Sequence, residues 1–226
     1  MIEQAIEAEQ VYLQKRLEGE DVALDLSEYG YENLDAYFAD KRDYQFHALD
    51  YTEMWTTDEK AFADIAAILQ AEKPVLLFEK HPEPFIYLGS KDYDAAAIEA
   101  SGIKAYDGGY LGGTIVGGTG DLSVGIFFPK EIDVRADHII NELVGILIVN
   151  GVNAYKDNND IMLDGRKVAG TARLETDTYY GFVAYVSFSD NAELVRQICG
   201  DSEKKPSFIS SMTADAFVEA VRQWLL

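Results

Sequence analysis

NNDIMLDGRKVAGTARLET, residues 158 to 176, decides the fold. Its first half, DIMLDGRKVAG, contains Asp164-Gly165, the dipeptide that favours a two-residue type I′ turn, so it predicts a β-hairpin. Lys167 follows that turn and precedes Val168, Ala169 and Gly170. A lysine beside such small residues can lie flat across a pocket and present its ammonium to a carboxylate or phosphate. That charge could stabilise the oxyanion of acyl transfer or the phosphate leaving group of an acyl-adenylate. The alternative is a solvated hairpin lysine.

Upstream lies a second unusual stretch, DGGYLGGTIVGGTGDLSVGIFFP, residues 107 to 129. Its glycine density lets backbone approach a ligand and leaves N–H groups for an anion. It matches neither a Walker loop nor a dinucleotide fingerprint, and a Gly-rich hairpin without a ligand is the competing reading. Around these two stretches the strand candidates are 74 to 80, 84 to 90, 113 to 118, 122 to 128 and 179 to 188, rich in β-branched and aromatic residues. Helices are expected over TTDEKAFADIAAILQ from Thr57, over HIINELVGILIVNGV ending near Gly151, and from Thr213 to the end. Strands come in runs, which predicts an α+β fold with mixed, mainly antiparallel sheets packed with helices. No internal repeat is visible.

Residues 1 to 45 are acidic and Gly-poor, with Ile6, Val11, Leu13 and Leu17 at helical spacing before Gly19. They read as a helical extension that docks on the domain of residues 46 to 226 or on a partner, is removable, and leaves Glu3, Glu7, Glu9, Glu18, Glu20 and Asp21 on a charged outer face.

The chain has 226 residues and a formal charge of −21, from 19 Lys plus Arg against 40 Asp plus Glu. Without a basic face, such a surface disfavours nucleic acid and anionic membranes, and would repel an acidic partner. Cys199 is the only cysteine, which excludes an internal disulfide and a thiol-based zinc site; it reads as a buried structural thiol ending an amphipathic helix. His47, His81 and His138 are scattered, so no metal site is expected. MIEQAIEAEQ lacks a signal-peptide pattern and no apolar run reaches bilayer length, giving the expectation of a soluble cytoplasmic protein.

The order of a Gly-rich strand pair, a long helix, then Asn159-Asp160-Ile161 and Gly165-Arg166-Lys167-Val168-Ala169-Gly170-Thr171-Ala172 resembles the lipoate-protein ligase and octanoyltransferase family of the biotin and lipoate ligase superfamily. KPVLLFEKHPEPFIYLGS resembles that family's opening strands, and the resemblance spans residues 46 to 215, with PSFISSM as its late loop. It implies a ligase or transferase placing a lipoyl or octanoyl group on a lysine of a lipoyl-domain or glycine-cleavage-H-like acceptor protein. Lys167 would contact the activated acyl group, and Asp160 would lie near the adenylate and incoming lysine. Gly112, Gly113 and Thr114 would line the site, facing Gly170, Thr171 and Ala172 across an apolar tunnel.

The resemblance implies lipoate or octanoate as acyl donor and ATP as co-substrate. Where lipoate ligases carry an arginine pair and then a histidine, however, this chain has Asp107, Gly108 and Gly117, which counts against ATP-dependent activation. Tyr155 and its neighbours stand where the transferases place their nucleophilic cysteine, and nothing before Leu226 corresponds to the accessory domain of full-length ligases. Two other readings remain: an acyl-binding or delivery protein with reduced catalysis, and a biotin-protein ligase, echoed by Lys156-Asp157-Asn158-Asn159-Asp160 but lacking the Arg-rich glycine loop.

Overall fold

The structure is a computed structural model that describes all residues except 1, 19, 21, 35, 39, 42–51, 57–72, 90–92, 108–112, 131–135, 202–204 and 226. The helix expected from Thr57 falls in 57–72, outside the described residues, as does Gly112.

Among the described residues, ten strands form two sheets. The larger contains β1 (Thr52–Thr56), β2 (Val75–Lys80), β6 (Leu122–Pro129), β10 (Tyr179–Val186), β9 (Arg166–Glu175), β8 (Asp160–Leu163) and β7 (Ala154–Asp157), in that spatial order. Only its β1–β2 pair is parallel. The smaller sheet is β4 (Lys104–Asp107), β3 (Phe85–Leu88) and β5 (Ile115–Gly117), with β3 central. The fold is therefore α+β with mixed, mainly antiparallel sheets. The five strands expected from the sequence are present, four of them shortened at their ends and the one over 122 to 128 extended to Pro129, whereas β1, β4 and β7 carry no such signal. All three lie at sheet edges, where period-two burial is weakest.

Side-chain alternation sorts the two faces of the large sheet. Leu76, Phe78, Leu122, Val124, Ile126, Phe128, Phe182, Ala184 and Val186 point one way into the main core. There they meet Ile139, Leu143, Val144 and Leu147 of α3 (Ala136–Val149) and Phe217, Val218 and Val221 of α5 (Ala214–Leu225). Each such aliphatic or aromatic side chain contributes about 1.5–3 kcal/mol on burial. The opposite face is covered by the small sheet: Phe85 and Tyr87 of β3 meet Tyr185 of β10. The outer side of β3 presents Ile86 to Ile198, with Ile98 of α2 (Ala95–Ser101) and Val195 of α4 (Ala192–Cys199) packed alongside. Asp94 caps α2, accepting from the Ala96 and Ala97 amides at 2.9 and 3.0 Å.

The described residues before 42 lie against this framework. In α1 (Ile2–Leu17) the buried stripe is Ala5, Glu9, Tyr12 and Leu13, a helical spacing in which Tyr12 and Leu13 join the main core. Val11 instead is exposed, and Glu9, read from the sequence as an outer-face acid, is buried. The reason is an ion cluster: Lys41 Nζ lies 2.8 Å from Glu9 Oε2 and 3.0 Å from Glu142 Oε1 of α3, all three side chains being buried. Tyr37 donates to Glu9, and the Trp224 indole N–H of α5 donates to Glu142. Burial alone would lower the Lys41 pKa, but the two carboxylates outweigh it and hold it above the ordinary value. Burial also raises Glu142, with Glu9 adding to the rise and Lys41 opposing it. The docking expected of this segment is thus onto α3 and α5, through polar groups that have no solvent alternative. No helix among the described residues is long and apolar enough to cross a membrane.

Candidate functional site

The hairpin forms as its turn chemistry dictates. Asp164 and Gly165 both have positive φ, 50° and 71°, the geometry that a type I′ turn requires. Beyond the turn the ladder is irregular: Met162 pairs with Lys167 but Ile161 pairs with Ala169, leaving Val168 as an extra residue, a β-bulge. The bulge sets Lys167 beside a further segment, since its N–H donates to the Lys205 carbonyl at 2.9 Å and its carbonyl accepts from the Ser207 N–H at 2.8 Å. PSFISSM, residues 206 to 212, is thereby fastened to the lysine strand.

Lys167 Nζ lies 2.8 Å from Asp160 Oδ1, and their side chains are 40% and 19% exposed, so the pair stands at a solvent-reached mouth. Gly170 makes this possible: it sits opposite Asp160 in the ladder, and the lysine side chain crosses above it. Next to it, the Thr171 hydroxyl donates to the Asn159 carbonyl at 2.6 Å, holding the β7–β8 turn against β9.

Behind this mouth lies a cavity of about 290 Å³ between the two sheets. Of the residues singled out in the sequence, Lys167, Gly113, Thr114, Gly170, Thr171 and Ala172 line it, and Asp160 joins through Lys167. Gly113 and Thr114 precede β5, and the Thr114 hydroxyl oxygen accepts from the Gly89 amide at 3.1 Å, tying the Gly-rich stretch to the end of β3. The floor is sheet residues of the second face, including Leu77, Gly125, Phe127 and Val183. Cys199 reaches the cavity as well, half-buried at the end of α4; burial raises its thiol pKa.

Several residues that the sequence left without a role complete the site. Asp121 is buried and accepts five hydrogen bonds: from the Phe188 N–H (2.7 Å), the Ser189 N–H (2.9 Å) and hydroxyl (2.8 Å), the Gly118 N–H (2.7 Å) and the Tyr185 hydroxyl. It joins the β5–β6 turn to the end of β10, and burial together with its charge raises the Tyr185 pKa well above the ordinary value. His81, unassigned in the sequence, is fully buried behind the cavity, stacked on Phe85 at a centroid distance of 3.7 Å. The signal that could have found Asp121 is its place in Gly-Thr-Gly-Asp, an acidic residue ending a glycine turn.

Position 117, where the resemblance places a histidine in ligases, has no room for a side chain: an added Cβ would lie 2.0 Å from Phe85 Cε1. Among the described residues lining the cavity, Lys167 is the only cation.

No protein-family model and no curated protein matches the chain. Solved structures do. The bi-partite lipoate protein ligase from Thermoplasma acidophilum, described with its E2 lipoyl domain, superposes with a TM-score of 0.65 and 16% identity over 78% of this chain and 82% of that one. Lipoate-protein ligase A bound with ATP gives 0.63 and 16% over 77% and 82%. P. falciparum LipL1 in complex with lipoate gives 0.63 and 10% over 77% and 61%. The chain therefore has the fold of lipoate-protein ligases.

Proposed function

We propose that this protein is a lipoate-protein ligase-like enzyme that attaches a lipoyl or octanoyl group to the lysine of a lipoyl-domain partner. The observation that carries the reading is Lys167, stretched over Gly170 and paired with Asp160 at the mouth of a largely apolar cavity. The cavity takes the acyl chain, removing it from water. The acyl carbonyl then lies at the mouth, where the acceptor amine attacks the thioester carbon, the C–S bond breaks, and the departing thiolate takes up the amine's proton to leave as thiol. The Lys167 ammonium stabilises the negative charge that develops on the carbonyl oxygen, and Asp160 holds that ammonium in place. Gly113 and Thr114 line the same cavity. No step is assigned to ATP, since Lys167 is the only cation among the described lining residues; an acyl thioester donor needs no nucleotide. The experiment is acyl transfer to a lipoyl domain read by intact mass.

One observation favours a second reading, an acyl-binding or delivery protein. Lys167 is the sole cation among the described lining residues, and in this reading its role is to hold a ligand carboxylate. Binding of octanoate without any transfer, from either donor, would select it.

A further inference from the structure

Cross-strand partners on the cavity side of the large sheet form three successive rows. The first runs from Glu79 of β2 through Ser123 of β6, Tyr185 of β10 and Gly170 of β9 to Asp160 of β8. Two residues along each strand, the second is Leu77, Gly125, Val183 and Ala172, and the third is Val75, Phe127, Gly181 and Leu174. The first row is polar and tied into its surroundings: Tyr87 donates to Glu79 Oε1 at 3.0 Å, and the Tyr185 hydroxyl donates to Asp121. A hydrocarbon chain is disfavoured there, because it offers polar groups nothing in return for lost water. The second row is apolar throughout and begins at Ala172, two residues from the glycine over which Lys167 lies.

Phe127 interrupts that apolar row. A Cβ built on Gly181, its partner in the third row, would lie 2.8 Å from Phe127 Cδ1 and Cε1, and one built on Gly125, in the second row, would lie 2.6 Å from Cε2. The ring therefore bridges both glycines, and its far edge fills the place that a side chain at position 125 would take. Neither glycine has a positive φ, so the ring and not the backbone conformation accounts for both. Phe127 is fully buried and backed by Val75, Leu77 and Tyr179, packing of a kind that yields little. Exposure falls along the row in the same direction: Ala172 and Val183 are half-buried, Gly125 and Leu77 buried. From β9 to β6 is two inter-strand steps, roughly 10 Å, the length of an extended eight-carbon acyl chain.

We infer that Phe127 sets the acyl chain length: a chain whose carbonyl lies at Lys167 runs over Ala172 and Val183 and ends against the Phe127 ring at Gly125, so that eight carbons are accepted and longer chains refused. The inference rests on the acyl-transfer reading of the cavity and deepens it, naming medium-chain acyl groups as the substrate class. Octanoyl and lipoyl groups share that eight-carbon backbone. Each methylene added short of the ring removes more surface from water. One added beyond it must displace a ring that is packed on both sides.

The test is calorimetric binding of hexanoic, octanoic, decanoic and dodecanoic acids to the full chain and to its Phe127→Leu and Gly125→Ala variants, whose folding is checked by cooperative urea melts. In the wild type, affinity is expected to rise about tenfold from hexanoic to octanoic acid and to fall at least about tenfold at decanoic acid. Phe127→Leu withdraws the ring edge from Gly125 and is expected to move the best-bound acid to decanoic or dodecanoic acid. Gly125→Ala adds a methyl where that edge rests and is expected to move it to hexanoic acid. Opposite shifts are not what general destabilisation produces, and either variant alone suffices if the other fails to fold. Decanoic and dodecanoic acids that bind the wild type as tightly as octanoic acid overturn the length limit and leave the acyl site standing. An optimum that stays at octanoic acid in every folded variant overturns the assignment to Phe127. Binding of none of the acids by the wild type overturns the acyl reading and the length limit with it.

Discussion

The ammonium of Lys167 rests directly over Gly170: a Cβ built on the glycine would lie 3.0 Å from Nζ and 3.1 Å from Cε, and 3.9 Å from Asp160 Oδ1. The smallness of residue 170 and the position of the cation are thus one design feature. Gly170→Ala asks the flexible end of the lysine to move by a few tenths of an ångström, whereas Gly170→Val occupies its path. Misplacing a reacting charge by about 1 Å costs up to about a hundredfold in rate. The expected order of acyl-transfer rates is therefore wild type, Gly170→Ala, then Gly170→Val, with melting temperatures little changed. Equal rates in all three would show that the lysine does not act from this position.

The ion cluster of Glu9, Lys41 and Glu142 predicts that the N-terminal segment is needed for stability. Replacing Lys41 with Met leaves two carboxyl groups buried without their cation, at a cost of about 3–5 kcal/mol. Deleting residues 1–45 removes Tyr12 and Leu13 from the main core as well. Urea melts are expected to show a lower midpoint for Lys41→Met and a broad transition or aggregation for the deletion. A truncated protein that melts cooperatively near the wild-type midpoint would contradict this prediction and support a removable extension.

Much of this was legible in the sequence, and the gaps have a common cause. The 158–176 hairpin depends on a local turn dipeptide, so its geometry, its lysine and the small residues under that lysine could be read directly. The helices over 136–149 and 214–225 follow from periodicity alone. What escaped depends on register between distant strands. The bulge at Val168, the five bonds on Asp121 and the row from Glu79 to Asp160 exist only once β2, β6, β10, β9 and β8 are aligned. Glu9 was misread for the same reason: an acid on a helix looks solvated until the lysine that buries it, 32 residues later, is placed.

Glu142 supplies a pH prediction. Its pKa is raised in the folded protein, chiefly by burial, so the folded state holds its proton more strongly than the unfolded chain, whose value is about 4.3. That contribution is fully present below the unfolded pKa and is lost as pH rises through the raised folded value. In Glu142→Gln the group no longer titrates. Melting temperature plotted against pH should therefore fall more steeply for wild type than for Glu142→Gln on going from acid toward neutral pH. Parallel curves would mean that Glu142 ionises in the folded state as easily as in the unfolded one.

Asp121 predicts a defect confined to the cavity edge. Asp121→Ala orphans the amides of Gly118, Phe188 and Ser189 and removes the Asp121 acceptor of the Tyr185 hydroxyl, costing on the order of 3 kcal/mol. Hydrogen exchange should accelerate at residues 118–121 and 185–189 before the α3 and α5 core. Uniform acceleration across the chain would place Asp121 in the global core instead.

The central claim, acyl transfer centred on Lys167, is tested most directly by intact-mass analysis of a lipoyl domain. The domain is incubated with the full chain and either octanoyl-carrier protein, or lipoate with ATP. The account predicts a gain of one acyl group on the lipoyl domain with the wild-type chain and at least one of the donors, and no gain with Lys167→Ala, a substitution at a partly exposed hairpin position that leaves the fold intact. An unmodified lipoyl domain under both donors, or equal modification by folded Lys167→Ala, would contradict it.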